Sequence, residues 1–197
     1  MNFTQGALFT ISSIIISSGF AQARGSSDTI SSRKSVEAFR IESHISINGH
    51  LDEPEWQLAG FAESFTQYEP YNVASPSQPT RVKMLYDDDA LYVGAWLFDS
   101  SPDSIYKELG QRDNSDNLKS DAFSVYISTY NDGVNYLQFT VSASGVQTDI
   151  KVTSDEEDRS WNAVWESEVS MDNRGWYVEM KIPYSALRFS KNDTTKA

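Results

Sequence analysis

Hydrophobic and polar residues alternate with a period of two over most of the chain from Val36 onward, the pattern of strands that bury one face. Arg81–Asp87 sets Val82, Met84 and Tyr86 on one side, and Asp87-Asp88-Asp89 turns the chain. Ala90–Asp99 returns apolar on both sides, with Leu91, Val93, Ala95 and Leu97 on one and Tyr92, Trp96 and Phe98 on the other. That pattern predicts a central strand covered on both faces. Ala122–Tyr130, Tyr136–Ala143, Val146–Val152 (with Thr148, Ile150 and Val152 in phase), Ala163–Met171 and Trp176–Ile182 continue the alternation. Turns at Asn131-Asp132-Gly133, Gly145 and Asn173-Arg174-Gly175 separate them. Ala38–Ile41 and Ile45–Ile47 read as two shorter strands, and Asn48-Gly49 as a tight turn. Helix is confined to Pro54–Ala59, Pro102–Leu109 and Pro183–Leu187, one or two turns each. About eight short strands with so little helix predict an all-β fold, an antiparallel β-sandwich, with a closed barrel as the alternative.

The ends of the chain change the domain boundaries. Residues 1–23 hold no Asp, Glu, Lys or Arg, Ala7–Phe20 is largely apolar, and Ala21-Gln22-Ala23 has the small-x-small form of a cleavage site. This segment is expected to be a signal peptide, which implies export to the periplasm, cell surface or medium. Residues 24–35 are a polar linker, and 36–197 form the folded module. No later stretch reaches the ~18 apolar residues of a spanning helix.

Charge and composition narrow the partners. The net charge is −12, which repels a phosphate backbone or an anionic membrane surface and leaves neutral or cationic ligands. Cysteine is absent, so disulfides, thiolate metal sites and thiol nucleophiles are excluded. Aromatic residues make up 13% of the chain, which suits strands and also a surface that stacks on flat ligands.

No catalytic constellation is legible. His44 and His50, the only histidines, lie six residues apart on ground of mixed polarity, and no serine sits in a nucleophile elbow. The chain is therefore expected not to be an enzyme. Asp121, Asp132 and Asp149 flank predicted strand ends, where carboxylates and backbone carbonyls together suit a hard cation, so they are the candidate ligands of a Ca²⁺ ion. Trp56, Trp165 and Trp176 are in phase with apolar neighbours and are expected to pack. Trp161 is out of phase after the charged loop Ser154–Ser160; it is the best candidate for an exposed stacking platform, against the alternative of a loop tryptophan folded back onto the sandwich, which is the reading favoured.

Ile47-Asn48-Gly49-His50-Leu51-Asp52-Glu53-Pro54-Glu55-Trp56 resembles the opening of a family 9 carbohydrate-binding module, with Asn48 where the family usually has Asp. Val82–Val93, Asp121–Ile127 and Gly175–Pro183 are similar to later blocks of that family, in the same order. Gly145–Asp149, Trp161–Trp165 and Ile182–Phe189 resemble the N-terminal modules of large exported bacterial proteins with a long β-rich C-terminal region. The resemblance implies a sandwich that binds carbohydrate. It also implies departures at the sugar site: Asn117–Asp121 has no stacking tryptophan, Ser124 stands for the usual acid, and Thr140 and Ser142 for the usual Arg and Asn. Arg112, Asp113 and Trp161 are then the expected ligand-binding residues. The function expected is a non-catalytic module for a neutral glycan in an exported protein that takes part in polysaccharide breakdown. The alternative is a docking sandwich that packs on a C-terminal region of its parent. Too little polar-free sequence follows Pro183 for a further buried strand, so the sandwich is expected to lack one.

Overall fold

The computed structural model describes residues 34–187 apart from 115–117, 131 and 155. The expected leader 1–23, nearly all of the linker 24–35, and residues 188–197, on which the expectation of a wanting strand falls, lie outside the described residues.

Nine strands run through the described residues: β1 (Phe39–Arg40), β2 (Thr80–Tyr86), β3 (Ala90–Phe98), β4 (Ala122–Ile127), β5 (Tyr136–Ser142), β6 (Gln147–Val152), β7 (Glu157–Asp158), β8 (Glu166–Asp172) and β9 (Gly175–Pro183). They form two sheets, ordered β1-β2-β3-β9-β8 and β4-β5-β6-β7, so the fold is an all-β sandwich and not a closed barrel. All neighbours are antiparallel except β1 and β2.

The main core lies between the sheets. Val82, Met84, Leu91, Val93, Ala95, Trp176, Val178, Met180 and Ile182 face Phe123, Val125, Ile127, Leu137, Phe139 and Val141. β3 is the middle strand of its sheet, as its two apolar faces require. Its second face is roofed by the amino-terminal segment: Ile41, Ile45, Trp56 and Ala59 bury Leu85, Ala90 and Tyr92 in a separate cluster.

One rung of the first sheet seats that roof. Gly94 on β3 pairs with Lys83 on β2 and Glu179 on β9, so the three share the roofed face. The Trp56 indole lies over Gly94, where an added Cβ would stand 2.9 Å from the ring and 2.7 Å from Leu51. Its Nε1–H donates to Glu179 at 3.2 Å, and its carbonyl accepts from the Lys83 ammonium at 2.6 Å. The other Glu179 oxygen accepts the backbone N–H groups of Asn48 and Gly49 at 2.8 and 3.1 Å. Glu179 is fully buried, and burial pushes its carboxyl up against the pull of these three donors. Gly49 completes the seat: its φ is +80°, and a Cβ there would meet the Val169 backbone at 3.0 Å.

Four sequence expectations need correction. Ile45–Ile47 forms no strand, because its backbone runs as cover over the sheet; Ile45 is buried there. Asn48-Gly49 accordingly joins no hairpin and instead donates to Glu179. Pro102–Leu109 holds a 3₁₀ turn only at Pro102–Ser104. In β6 the core-facing residues are Gln147, Asp149 and Lys151, since they pair with Val141, Phe139 and Leu137, and Thr148, Ile150 and Val152 point outward. The alternation misleads because Thr148 and Ile150 are buried on that outward face too.

The Glu179 seat gives a direct stability test. Glu179→Gln should turn one acceptor into a donor facing Trp56 Nε1–H or the Asn48 and Gly49 N–H groups. We expect a loss of about 1–3 kcal/mol in urea unfolding at neutral pH. Gly94→Ala should cost a similar amount, roughly 1–3 kcal/mol, by overpacking against the immobile Trp56 ring. Variants that melt like the parent chain would show that the roof is not held at this rung.

Candidate functional site

Three places offer side-chain chemistry. The first is the outward face of the second sheet, where the family resemblance puts its sugar ligands. Ser124 and Thr140 are directly opposed across β4 and β5, and Ser142 lies opposite Ala122. All three are buried, and their hydroxyls are engaged: Ser124 with Thr140 at 2.8 Å, Ser142 with Ser144 at 2.8 Å and with the Val146 N–H at 3.0 Å. Farther along the face, Tyr126 and Tyr136 pack edge to face at 5.5 Å, and burial pushes the Tyr126 phenol up. Short hydroxyls stand where the family resemblance implies a long acid, guanidinium and amide, and they are engaged with one another and with neighbouring groups. Thr148 Oγ1 is buried without a hydrogen-bond partner among the described residues.

The second place gathers most of the residues expected from the sequence, in a different role. Asp149, fully buried on the core side of β6, is the hub. It accepts the Arg112 guanidinium, the Ala163 N–H at 2.6 Å and the Trp165 indole N–H at 3.2 Å. Arg112 also donates to the Ala163 carbonyl at 2.9 Å and to Gln147. Asp113, with φ +63°, donates its N–H to the Gln147 carbonyl at 3.0 Å and accepts the Asp149 N–H at 3.3 Å. The structure therefore brings Arg112, Asp113 and the loop carrying Trp161 to one node, but as a clamp that pins two loops onto β6. Trp161 is folded back: its ring meets Phe139 edge to face at 5.8 Å and packs against the main core. Its position after a charged loop left both exposure and folding back open, and the aromatic Phe139 beneath it decides for folding back.

The expected cation ligands do not converge. Asp149 is already neutralised by Arg112. Asp121 and Asp132 lie at opposite ends of β4, separated by its six residues, about 20 Å at ~3.3 Å per residue. Asp132 closes its own turn by accepting the Val134 and Asn135 N–H groups at 3.0 and 2.8 Å, and the Asn135 bonds hold its carboxyl below the usual range. Asp121 tethers the start of β4 through its backbone, and burial pushes its carboxyl up. Among the described residues, no three acidic or imidazole groups gather as a metal set.

The third place was missed by the sequence reading. A cleft of about 250 Å³ opens on the outer face of the first sheet, between the turn 49–52 and the β8–β9 hairpin. Trp96, His50, Asp52, Asp172, Arg174 and Tyr177 line it. Trp96 is half-buried and pairs across the sheet with Tyr177, and Phe61 meets its ring edge to face at 5.5 Å. The signal available in the sequence was the phase of Trp96, on the same side of β3 as the roofed Tyr92 and Gly94. What it lacked was the point at which the roof ends.

The family described as Carbohydrate family 9 binding domain-like matches residues 47–196. Among solved structures, the chain is similar to a family 9 carbohydrate-binding module from Caldicellulosiruptor kristjanssonii in complex with glucose, at 17% identity and TM-score 0.51 over 73% of this chain and 68% of that one. It is similar also to such a module from the same organism in complex with cellotriose, at 15% identity and TM-score 0.50 over 74% of this chain and 66% of that one. No curated protein matches. Likeness at these identities concerns the fold alone, whereas the family match begins at the turn that Glu179 seats and runs through both sheets. On that match, covering most of its length, this chain belongs to the family 9 carbohydrate-binding domain-like proteins.

Proposed function

We propose that this chain is a non-catalytic carbohydrate-binding module of an exported protein, acting on a neutral glycan in support of polysaccharide breakdown. The observation that carries this reading is the family match from residue 47 to residue 196. The similar modules of known structure are complexes with glucose and with cellotriose, which points the ligand class towards neutral sugars. The net charge of −12 agrees, since it disfavours anionic partners. Export rests on the uncharged apolar stretch ending Ala21-Gln22-Ala23.

One observation favours a second reading, a docking sandwich that packs on another part of its parent. Ser124, Thr140 and Ser142 stand where the family resemblance puts the long polar ligands, and they spend their hydroxyls on one another and on neighbouring groups.

Thermal unfolding of the full chain with and without sugars separates the two. A module that binds sugar in its folded state gains RT ln(1 + [L]/Kd), about 2.7 kcal/mol at a sugar concentration ~100 times Kd. A concentration-dependent rise in Tm with glucose, cellotriose or another neutral sugar is expected. An unmoved Tm across a broad panel of neutral mono- and oligosaccharides, with no heat on titration, favours the docking reading. Export has its own measurement: intact mass of material recovered outside the cytoplasm should correspond to a chain starting at Arg24, and a product that keeps Met1 refutes the leader.

A further inference from the structure

The cleft beside Trp96 has walls fixed by bonds that no ligand needs to form. The turn on one side is held by the Asn48 and Gly49 N–H groups on Glu179, by the His50 N–H on the Asn48 side chain at 2.7 Å, and by the Ser170 hydroxyl on the Gly49 carbonyl at 2.6 Å. The hairpin on the other side is held by Asp172. Its carboxylate accepts the Arg174 backbone N–H at 2.8 Å, the Arg174 guanidinium at 3.0 and 2.8 Å, and the Tyr177 hydroxyl at 2.8 Å. A ligand entering such a cleft orders little of the protein, so little of its contact energy goes into fixing the walls.

The lining sets the ligand chemistry. The roof over the first sheet ends at Leu51 and Trp56, which cover Gly94, and Trp96, two residues farther along β3, is left half-open to the cleft. An indole face takes the C–H face of a sugar ring. The exposed Asp52 carboxylate is an acceptor for hydroxyl donors, and hydrogen bonds to an ionised acceptor are the stronger kind. Arg174, the one Lys or Arg among the residues lining the cleft, is paired with Asp172, so its guanidinium is not free for an anionic ligand. At about 250 Å³ and open to solvent, it can seat one ring against Trp96.

We propose that this cleft, on the sheet opposite to Ser124, Thr140 and Ser142, is a binding site for a single neutral sugar ring stacked on Trp96 with its hydroxyls on Asp52. The proposal rests on the carbohydrate-binding reading and assigns its site. A one-ring site takes a free monosaccharide, a chain end or a branch residue, and gains little from neighbouring residues of a chain.

The test is titration of the full chain and its variants, by calorimetry, with glucose, galactose, mannose, xylose and cellotriose. For whichever probe binds, Trp96→Ala and Asp52→Ala should each weaken affinity by about tenfold or more. Trp161→Ala, at the clamp, and Thr140→Val, on the second sheet, should stay within about twofold. If glucose binds, cellotriose should bind within about threefold of it. Near-ultraviolet circular dichroism and a cooperative melt establish that each variant is folded. Asp52 is exposed, so Asp52→Ala decides the matter if Trp96→Ala does not fold. Sugar binding that survives in folded Trp96→Ala and Asp52→Ala, or that is lost in Trp161→Ala or Thr140→Val instead, overturns this site and leaves the module reading standing. Cellotriose bound far more tightly than glucose overturns the single-ring assignment. Binding of none of the probes by the parent chain overturns both the site and the carbohydrate-binding reading.

Discussion

A carboxylate buried in the middle of β9 ties the first thirty described residues to the sandwich. Glu179 accepts two backbone N–H groups from the Asn48-Gly49 turn and the indole N–H of Trp56, and the buried ammonium of Lys83 takes the Trp56 carbonyl from the far side of Gly94. Taking two charges out of water is costly, and the cost is offset here because Glu179 accepts three N–H groups and Lys83 donates to a carbonyl, groups that would themselves be orphaned under the roof. Much else follows from that arrangement. Trp56 can lie against β3 because residue 94 has no side chain, and with Ile41, Ile45 and Ala59 it covers the second apolar face of that strand.

The same device appears on the other sheet with the roles redistributed. Asp149 sits on the core side of β6 opposite Phe139, accepts the indole N–H of Trp165, and is neutralised by Arg112. Through the Ala163 N–H and the Arg112 guanidinium it fixes two loops against a strand whose outer neighbour, among the described residues, is the two-residue β7. Each sheet thus has one buried carboxylate at which loop backbone and a tryptophan N–H meet. These contacts give the sandwich a specific register of loops, which apolar packing by itself does not impose.

Recognition then depends on where the two sheets leave polar and aromatic groups open. On the second sheet the hydroxyl strip is turned inward upon itself, and Trp161 is laid against Phe139. On the first sheet the roof that Glu179 holds stops short of the β8–β9 hairpin, and the gap becomes a cleft with an indole on its floor.

The sequence by itself determined the class of fold, because strand periodicity is local: alternation from Val82 to Ile182 marks which faces are apolar, and the doubly apolar run Ala90–Asp99 marks the central strand. It determined the family too, since Ile47–Trp56 and the later blocks are contiguous stretches of residues. Which polar groups meet was decided only by the tertiary structure. Glu179 and Asn48 are 131 positions apart, Asp149 and Arg112 are 37 apart, and nothing local in either stretch signals the pairing. For that reason Asp149 read as a cation ligand and proved to be the partner of Arg112, and the choice between an exposed and a folded-back Trp161 was decided only by Phe139 beneath it. Trp96 stayed inconspicuous for the converse reason. Its phase along β3 was legible, but how far the roof extends over that face is fixed by Leu51 and Trp56 docking from another part of the chain, and only the folded arrangement leaves the indole half-open.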